Sequence, residues 1–358
     1  MHRIPGILIF SFILLLSASS LISREVELQF HQVKEFYNPD FNELEKAGFN
    51  KIIVRTFLND GSQGGLLFEN TNFRVAYAGF SNIVLKNSKR KFKLWGWLIS
   101  RKYDWLKSDI LYDSKYYKGL RARVKKLDLF DPTVREKIIT VFKDLTKSGV
   151  EGILIQDDLS FMSDEGFSDK GLERFSKESG VPAKEKLMMK SGSPYNLKWI
   201  GIKKRIINKF LEDIVRECRK INQNIKIGIN VYYEAAIHIS KSDEWHSQDL
   251  EGIAKTDVDY IYLMMYHRQM KSELKLRKER IKKLFVEGIE YASRIAGDRL
   301  VVKLETRDWK KSILIPINEM EEYISLIPGK VRRVCFTPVK NADMKYLKRL
   351  IKAAKIEN

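Results

Sequence analysis

Cysteine and histidine are both scarce in this sequence, and their scarcity excludes several kinds of site. The 358 residues include two cysteines and five histidines. Cys218 and Cys335 cannot form a disulfide framework or a CxxC metal site, so we expect two small buried hydrophobic side chains. The histidines occur in neither an HExxH nor an HxH pattern. The sequence therefore predicts no metal ion and no cofactor.

The motifs of nucleotide binding and of nucleophilic hydrolysis are also missing. Gly61–Gly65 is rich in glycine and follows an apolar run, but it does not open a helix in the GxGxxG form that binds dinucleotides. No GxSxG turn is present, and neither cysteine lies at a turn suited to a nucleophile. These absences leave carboxylate acid/base chemistry, which is the chemistry of glycoside hydrolysis.

Acidic residues are outnumbered, with 46 aspartates and glutamates against 65 lysines and arginines and a net charge of +19. Such a charge favours encounters with nucleic acid, lipid headgroups or acidic glycans. The alternative is that surface lysines spread over many helices keep the protein in solution. Because no recognition helix, zinc finger or RNP motif accompanies the charge, no nucleic-acid partner is expected.

The N-terminus has a short basic start, an apolar run and then small polar residues. This layout is typical of a secretory signal peptide, since the apolar run is short for a membrane span. We assign residues 1–23 to the signal and expect a periplasmic or secreted protein. The alternative is an uncleaved N-terminal anchor that associates with the membrane. Residues 24–358 contain no linker rich in proline or serine and are assigned to one domain.

Eight apolar, strand-like runs alternate with helical patterns along the rest of the chain. The predicted strands are Glu27–Val33, Lys51–Phe57, Phe92–Ile99, Gly152–Gln156, Ile225–Val231, Tyr260–Met265, Leu300–Leu304 and Val331–Phe336. The predicted helices lie around Asp40–Ala47, Val134–Lys147, Leu197–Ile221, Leu274–Ile295, Asn318–Ile327 and Asp343–Ala354. Strands separated by helices indicate the α/β class and a parallel sheet. Eight of them predict a closed (β/α)8 TIM barrel in a single domain.

Two adjacent acids, Asp157 and Asp158, follow the fourth strand directly. Active sites of barrels lie at the carboxyl ends of the strands, so both residues are candidate catalytic groups. Because a strand alternates its faces, one aspartate should point into the mouth of the barrel and the other away from it or into the loop. A purely structural role, as a loop acid or helix cap, is the alternative.

Aromatic rings, amides and further carboxylates follow other strands. Aromatic faces stack on the CH faces of sugars, and amides and carboxylates bond their hydroxyls, so these residues predict a glycan site. The candidate substrate-binding residues are Trp97, Asn230, Tyr232, Trp245, Tyr266 and Trp309. Glu234 and Glu305 are reserve candidates for a second catalytic carboxylate. Taken singly, each aromatic residue is also compatible with a place in the core.

The segment Gly152–Asp158, GILIQDD, resembles the C-terminal glycoside hydrolase domain of bacterial poly-β-1,6-N-acetylglucosamine deacetylase/hydrolases, glycoside hydrolase family 153. Similar segments occur in the same order over most of the chain: Phe49–Val54, Leu66–Asn70, Leu94–Leu98, Lys126–Asp131, Ile229–Val231, Ser242–Trp245, Leu263–Tyr266 and Asp308–Trp309. The resemblance implies a periplasmic barrel that acts on a partly deacetylated β-1,6-linked N-acetylglucosamine exopolysaccharide of biofilms. It also implies the exopolysaccharide export machinery as a partner.

The resemblance implies that Asp157 and Asp158 are the catalytic acid pair and that Trp245 and Trp309 are aromatic residues of the sugar groove. It also matches Asn230 and Tyr266 to positions at the strand ends. One aspartate would protonate the glycosidic oxygen while the other stabilises positive charge, with the substrate's N-acetyl group as nucleophile. Three residues depart from the family pattern: Gln156 replaces a histidine, Lys303 a glutamate and Thr337 a tyrosine. These departures favour an alternative in which the barrel binds a neutral or anionic glycan without turnover. A basic envelope scaffold is a third hypothesis.

Overall fold

A closed barrel of eight parallel strands forms the centre of the computed structural model, which describes residues 23–31, 41–59, 61–106, 111–339 and 344–355. The strands are β1 (Glu25–Phe30), β2 (Lys51–Arg55), β3 (Lys93–Leu98), β4 (Gly152–Ile155), β5 (Lys226–Tyr232), β6 (Tyr260–Met264), β7 (Leu300–Glu305) and β8 (Arg333–Val339). Each strand pairs in parallel with the next, and β8 returns to β1. The predicted TIM barrel is confirmed, whereas the signal segment through residue 22 lies outside the described residues.

Helices surround the barrel. They are α1 (Phe41–Ala47), α2 (Phe80–Asn87), α3 (Pro132–Lys147), α4 (Asp169–Ser179), α5 (Glu185–Met188), α6 (Pro194–Arg219), α7 (Glu234–Ile237), α8 (Ile239–Trp245), α9 (Leu250–Ala254), α10 (His267–Leu274), α11 (Lys278–Ala296), α12 (Ile317–Ser325) and α13 (Met344–Lys355). The predicted helices are all present, but the segment predicted as one helix, Leu274–Ile295, contains the end of α10 and nearly all of α11. Lys275 separates them because its backbone is left-handed, with φ of 54°.

The sequence pattern missed the antiparallel hairpin Tyr112–Tyr117 and Leu120–Leu127 in the loop between β3 and α3. Its second strand is polar and mostly exposed, so it has no apolar face to mark it as a strand. The hairpin is fixed at its base by a buried ion pair between Arg101 Nη2 and Asp113 Oδ2, 2.7 Å apart. Short helices α4 and α5 were missed for the same lack of a long apolar period.

The end of the barrel opposite the predicted site is closed by side chains in its interior. Glu27 accepts bonds from Lys51 Nζ at 2.7 Å and from the Tyr262 hydroxyl at 2.6 Å. Beside them lies the ring of Trp95, which fills the space that a Cβ on Gly152 would need, since that atom would come within 2.1 Å of the ring. The interior is therefore packed, and only the carboxyl ends of the strands remain open.

Both cysteines are fully buried and unpaired, as expected from the sequence. Cys218 lies on α6 and Cys335 on β8, inside the barrel wall. No helix among the described residues has the length and apolar character needed to cross a membrane.

Candidate active site

Asp158 is turned away from the mouth of the barrel and into the loop after β3. Its carboxylate accepts hydrogen bonds from the main-chain N–H groups of Ser100, Arg101 and Lys102, at 3.0, 2.7 and 2.7 Å. The Ser100 hydroxyl donates a fourth bond at 2.9 Å. Because this buried carboxylate is occupied by protein donors, it orders the loop instead of contacting a sugar.

Asp157 lies just past the carboxyl end of β4, at the mouth of the barrel, and is partly exposed. The Tyr232 hydroxyl donates to its Oδ2 at 3.1 Å. Burial, followed by the negative charge of Asp158, raises the pKa of Asp157. The Lys303 ammonium and the bond from Tyr232 act in the opposite direction. The net result is a carboxyl group that keeps its proton to a higher pH than an ordinary aspartate. A general acid requires this property.

Tyr232 is held in place by residues that follow β5. Its ring stacks on His246, with the ring centroids 4.1 Å apart. His246 Nε2 lies 3.7 Å from Glu234 Oε1, and Glu234 is buried at the start of α7. The sequence placed Glu234 in reserve as a catalytic carboxylate, whereas the structure brings it to the support of Tyr232. His246 was not recognised, because no motif marks a lone histidine in a loop.

Glu305 lies at the end of β7 beneath the N-terminus of α10. Its Oε1 accepts bonds from the main-chain N–H groups of Arg268 and Gln269, at 2.7 and 3.2 Å. Its Oε2 is buried and has no partner among the described residues. Burial raises the pKa of Glu305 to about 7. Glu305 is among the residues that line a cavity of about 350 Å³, while its Oε2 has almost no surface exposed to solvent.

Tyr266 lies near both Asp157 and Glu305. It lines the same cavity as Glu305, and burial raises its pKa. The charges of Asp157 and Glu305 raise that pKa further, which places the phenol within electrostatic reach of both carboxyl groups. Tyr266 and Glu305 therefore line one cavity, and Asp157 lies within electrostatic reach of Tyr266.

Asn230 lies below this mouth, and its expected contact with substrate is corrected. Only 1% of the residue is exposed; its Nδ2 donates to the Ile155 carbonyl at 2.9 Å and its Oδ1 accepts from Lys303 Nζ at 2.6 Å. The reason is strand geometry: Asn230 points into the barrel interior, and Tyr232, two residues later, is the first side chain to reach the opening. Asn230 and Lys303 form the floor of the site.

The predicted tryptophans divide into two kinds. Trp97 is 8% exposed and packs against His31, with ring centroids 4.6 Å apart, so it supports the wall of the mouth. Trp245 and Trp309 are 40% and 50% exposed, at the end of α8 and in the loop after β7. Rings this exposed are available to stack on a sugar.

Thr337 and His31 complete the wall of the cavity on the β8 and β1 side. The Thr337 hydroxyl and His31 Nε2 lie 2.9 Å apart in a hydrogen bond. Burial lowers the pKa of His31 to about 3, so the ring is neutral in the ordinary pH range. Within the ranges that the structure describes, no three His, Cys, Asp or Glu side chains cluster as ligands for a metal ion.

One family model matches most of the chain. A family model described as hypothetical glycosyl hydrolase family 13 (GHL13) matches residues 58–333, which is more than half of the chain. The chain belongs to GHL13. A search of curated protein sequences finds no match.

Solved structures confirm the fold of this GHL13 protein. The PgaB (BpsB) glycoside hydrolase domain of Bordetella bronchiseptica superposes with a TM-score of 0.75 and 17% identity, over 92% of this chain and 99% of that one. The α-L-fucosidase isoenzyme 2 of Paenibacillus thiaminolyticus superposes with a TM-score of 0.60 and 12% identity, over 93% of this chain and 48% of that one. The β-galactosidase of Halorubrum lacusprofundi superposes with a TM-score of 0.63 and 9% identity, over 93% of this chain and 58% of that one. The resemblance stated from the sequence is confirmed for a PgaB-like glycoside hydrolase barrel.

Proposed function

We propose that this GHL13 protein is an exported glycoside hydrolase with Asp157 as its general acid. The observation that carries the proposal is the difference between the surroundings of the two adjacent carboxyl groups. Asp158 is occupied by four protein donors, whereas Asp157 stands in the mouth with a raised pKa and one bond from Tyr232. Only one of the two adjacent carboxyl groups is thus placed to protonate a glycosidic oxygen.

The proposed step uses the substrate's acetamido group. As the bond between the anomeric carbon and the glycosidic oxygen breaks, that oxygen takes the proton of Asp157. The carbonyl oxygen of the N-acetyl group attacks the anomeric carbon, a known variant of glycoside hydrolysis. Water then opens the cyclic intermediate, and Asp157 recovers its proton.

The proposed substrate is an exopolysaccharide containing β-1,6-linked N-acetylglucosamine. The supporting evidence is the ordered set of sequence segments shared with the poly-β-1,6-N-acetylglucosamine hydrolase domains, together with the PgaB-like barrel. Export is supported by the signal-like residues 1–23 and would bring the protein to the envelope, where the polysaccharide export machinery is a candidate partner.

The test is product analysis on defined β-1,6-linked glucosamine oligomers that differ in acetylation. We expect new reducing ends with the wild-type protein on acetylated oligomers. We expect a loss of roughly 10²- to 10⁴-fold in kcat for Asp157→Asn, because general acid catalysis supplies about that factor. An Asp157→Asn variant that cleaves at the wild-type rate would contradict the assignment.

A glycan-binding barrel without turnover is the second candidate. The Lys303 ammonium favours it, because this charge acts on Asp157 against retention of the proton. Calorimetric binding of the same oligomers, with no reducing ends released by the wild-type protein, would identify this second function.

A further inference from the structure

A second cavity, of about 520 Å³, adjoins the mouth and plays no part in the proposed bond cleavage. It lies between α10, the start of α11, the loop after β7 and α12. Asp308 and Trp309 line both this cavity and the one that holds Glu305. A glycan that crosses the ring of Trp309 would therefore extend from the mouth into the second cavity, which we name the basic cavity.

Basic side chains dominate the lining of the basic cavity. They are Arg268, Lys271, Lys278, Lys310 and Lys311, against the two acids Asp308 and Glu319. Both acids are already used by the protein. Glu319 accepts two bonds from the Arg268 guanidinium, at 2.9 and 2.7 Å. Asp308 Oδ1 accepts from the main-chain N–H groups of Lys310 and Lys311, each at 3.0 Å.

Three lysine ammonium groups in the basic cavity are not engaged in a close ion pair, although the charge of Lys311 does lower the pKa of Asp308. Lys271, Lys310 and Lys311 are exposed and form no ion pair within the part of the chain that the structure describes. Lys310 Nζ donates to the Ser272 hydroxyl, which carries no charge. Lys278, by contrast, pairs with Glu322 at 2.6 Å. The excess positive charge is thus concentrated in a concave site, where it acts more strongly on a ligand than on a convex surface.

Trp309 supplies the complementary apolar contact. Its side chain is half exposed, and Lys310 Nζ lies 5.1 Å from the ring centroid. A flat aromatic face next to ammonium groups suits a sugar ring that carries a negative substituent, because the ring can stack while the substituent is paired.

We infer that the basic cavity is a subsite for an acidic sugar unit, carrying a carboxylate or a phosphate, in the glycan that is cleaved in the mouth. The inference rests on the proposed function and narrows its substrate to a polymer with negative charge near the cleaved bond. A polymer rich in ammonium groups would be repelled by the same lysines.

Calorimetry with the Asp157→Asn protein separates binding from cleavage. The probes are four oligomers of equal length with N-acetylated, ammonium-bearing, carboxylate-bearing or phosphate-bearing units. We expect an acidic oligomer to bind at least about tenfold more tightly than the neutral one, with the advantage lost at high salt. The stronger of the two acidic probes identifies the substituent.

The decisive variant is Lys271→Glu/Lys310→Glu/Lys311→Glu. It should abolish the preference for acidic oligomers and change the affinity for the neutral oligomer less than twofold. The matched control is Lys93→Glu/Lys255→Glu/Lys330→Glu, which makes the same charge change at exposed lysines near the opposite ends of β3, β6 and β8. The control should keep the preference.

Equal affinity for neutral and acidic oligomers in the parent protein would overturn the inference. An equal loss in the decisive and control variants would overturn it as well, because overall charge would then be the cause. Cleavage of neutral oligomers without any acidic preference would contradict the inference and leave the proposed function intact. Cleavage of none of the oligomers, with the acidic preference present, would contradict the function alone.

Discussion

At the scale of single residues, Asp157 and Asp158 have different surroundings although they are neighbours in the chain. The sequence predicted where the pair lies, and alternation along a strand predicted that the two side chains diverge. It did not predict which one reaches the mouth. That depends on the loop at Ser100–Lys102, whose main-chain donors bond Asp158 from as far as 58 positions away in the sequence. Contacts of this separation leave no local signal in a single sequence.

The Tyr232 hydroxyl should affect the pKa of Asp157, to which it donates a hydrogen bond. Its hydroxyl stabilises the ionised form of Asp157, so Tyr232→Phe should raise the pKa of Asp157. We expect the alkaline limb of the pH profile of kcat/KM to move to higher pH by roughly half a unit to one unit. The phenylalanine ring keeps the stack on His246, so the fold should be unaffected.

Tyr233→Phe is the matched control, because the Tyr233 hydroxyl bonds Glu273, at 2.7 Å, and not the acid. Its alkaline limb should stay at the wild-type position. A Tyr232→Phe limb that stays in place or moves to lower pH would show that this bond does not tune the group that limits activity.

At the scale of elements, strands were predicted better than the helices and loops around them. All eight barrel strands lie within a few residues of their predicted bounds, since buried parallel strands are nearly continuous apolar runs. Short helices and the polar hairpin after β3 lack such runs. The start of α10 is the element that matters most for the site, because its main-chain N–H groups hold Glu305.

Burial makes the contribution of Glu305 to stability depend on pH, because it outweighs the bonds from Arg268 and Gln269, which lower the pKa of this carboxyl group. Its pKa is about 7 in the folded protein and 4.5 ordinarily, so the folded state retains a proton that the unfolded state loses. The group costs no stability below pH 4.5, and the cost grows to about 3 kcal/mol as pH rises through 7. Glu305→Gln does not have this cost, because the glutamine side chain does not ionise.

We therefore expect the free energy of unfolding of Glu305→Gln, relative to wild type, to increase between pH 4.5 and pH 7.5. Chemical denaturation at a series of pH values measures this difference. Glu290→Gln, at an exposed position on α11, is the control and should show no such trend. A flat difference for Glu305→Gln would mean that Glu305 is already ionised in the folded protein.

At the scale of the whole molecule, composition predicted the charge of +19 but not its distribution. Part of it is neutralised on the outer helices by ion pairs, as between Lys282 and Glu322 at 2.7 Å. Another part lines the basic cavity beside the mouth. Only the folded arrangement separates these two kinds of lysine, because they look alike in the sequence.

Two of the three residues that depart from the family pattern form side-chain hydrogen bonds in the site. Lys303 bonds Asn230, and Thr337 bonds His31. The main-chain N–H of Gln156 bonds the Leu98 carbonyl at 2.9 Å, while its Oε1 is buried without a partner among the described residues. Lys303 and Thr337 thus belong to the floor and wall of the mouth, and Asp157 has its bond from Tyr232.

The central claim is that Asp157 donates the proton to the leaving oxygen, and dependence on the leaving group tests it most directly. Hydrolysis rates are measured for N-acetylglucosaminides with an alkyl leaving group and with a dinitrophenyl leaving group, which departs without protonation. Asp157→Asn should lose roughly 10²- to 10⁴-fold on the alkyl glycoside and less than about tenfold on the dinitrophenyl glycoside. Equal losses on both substrates would contradict the account.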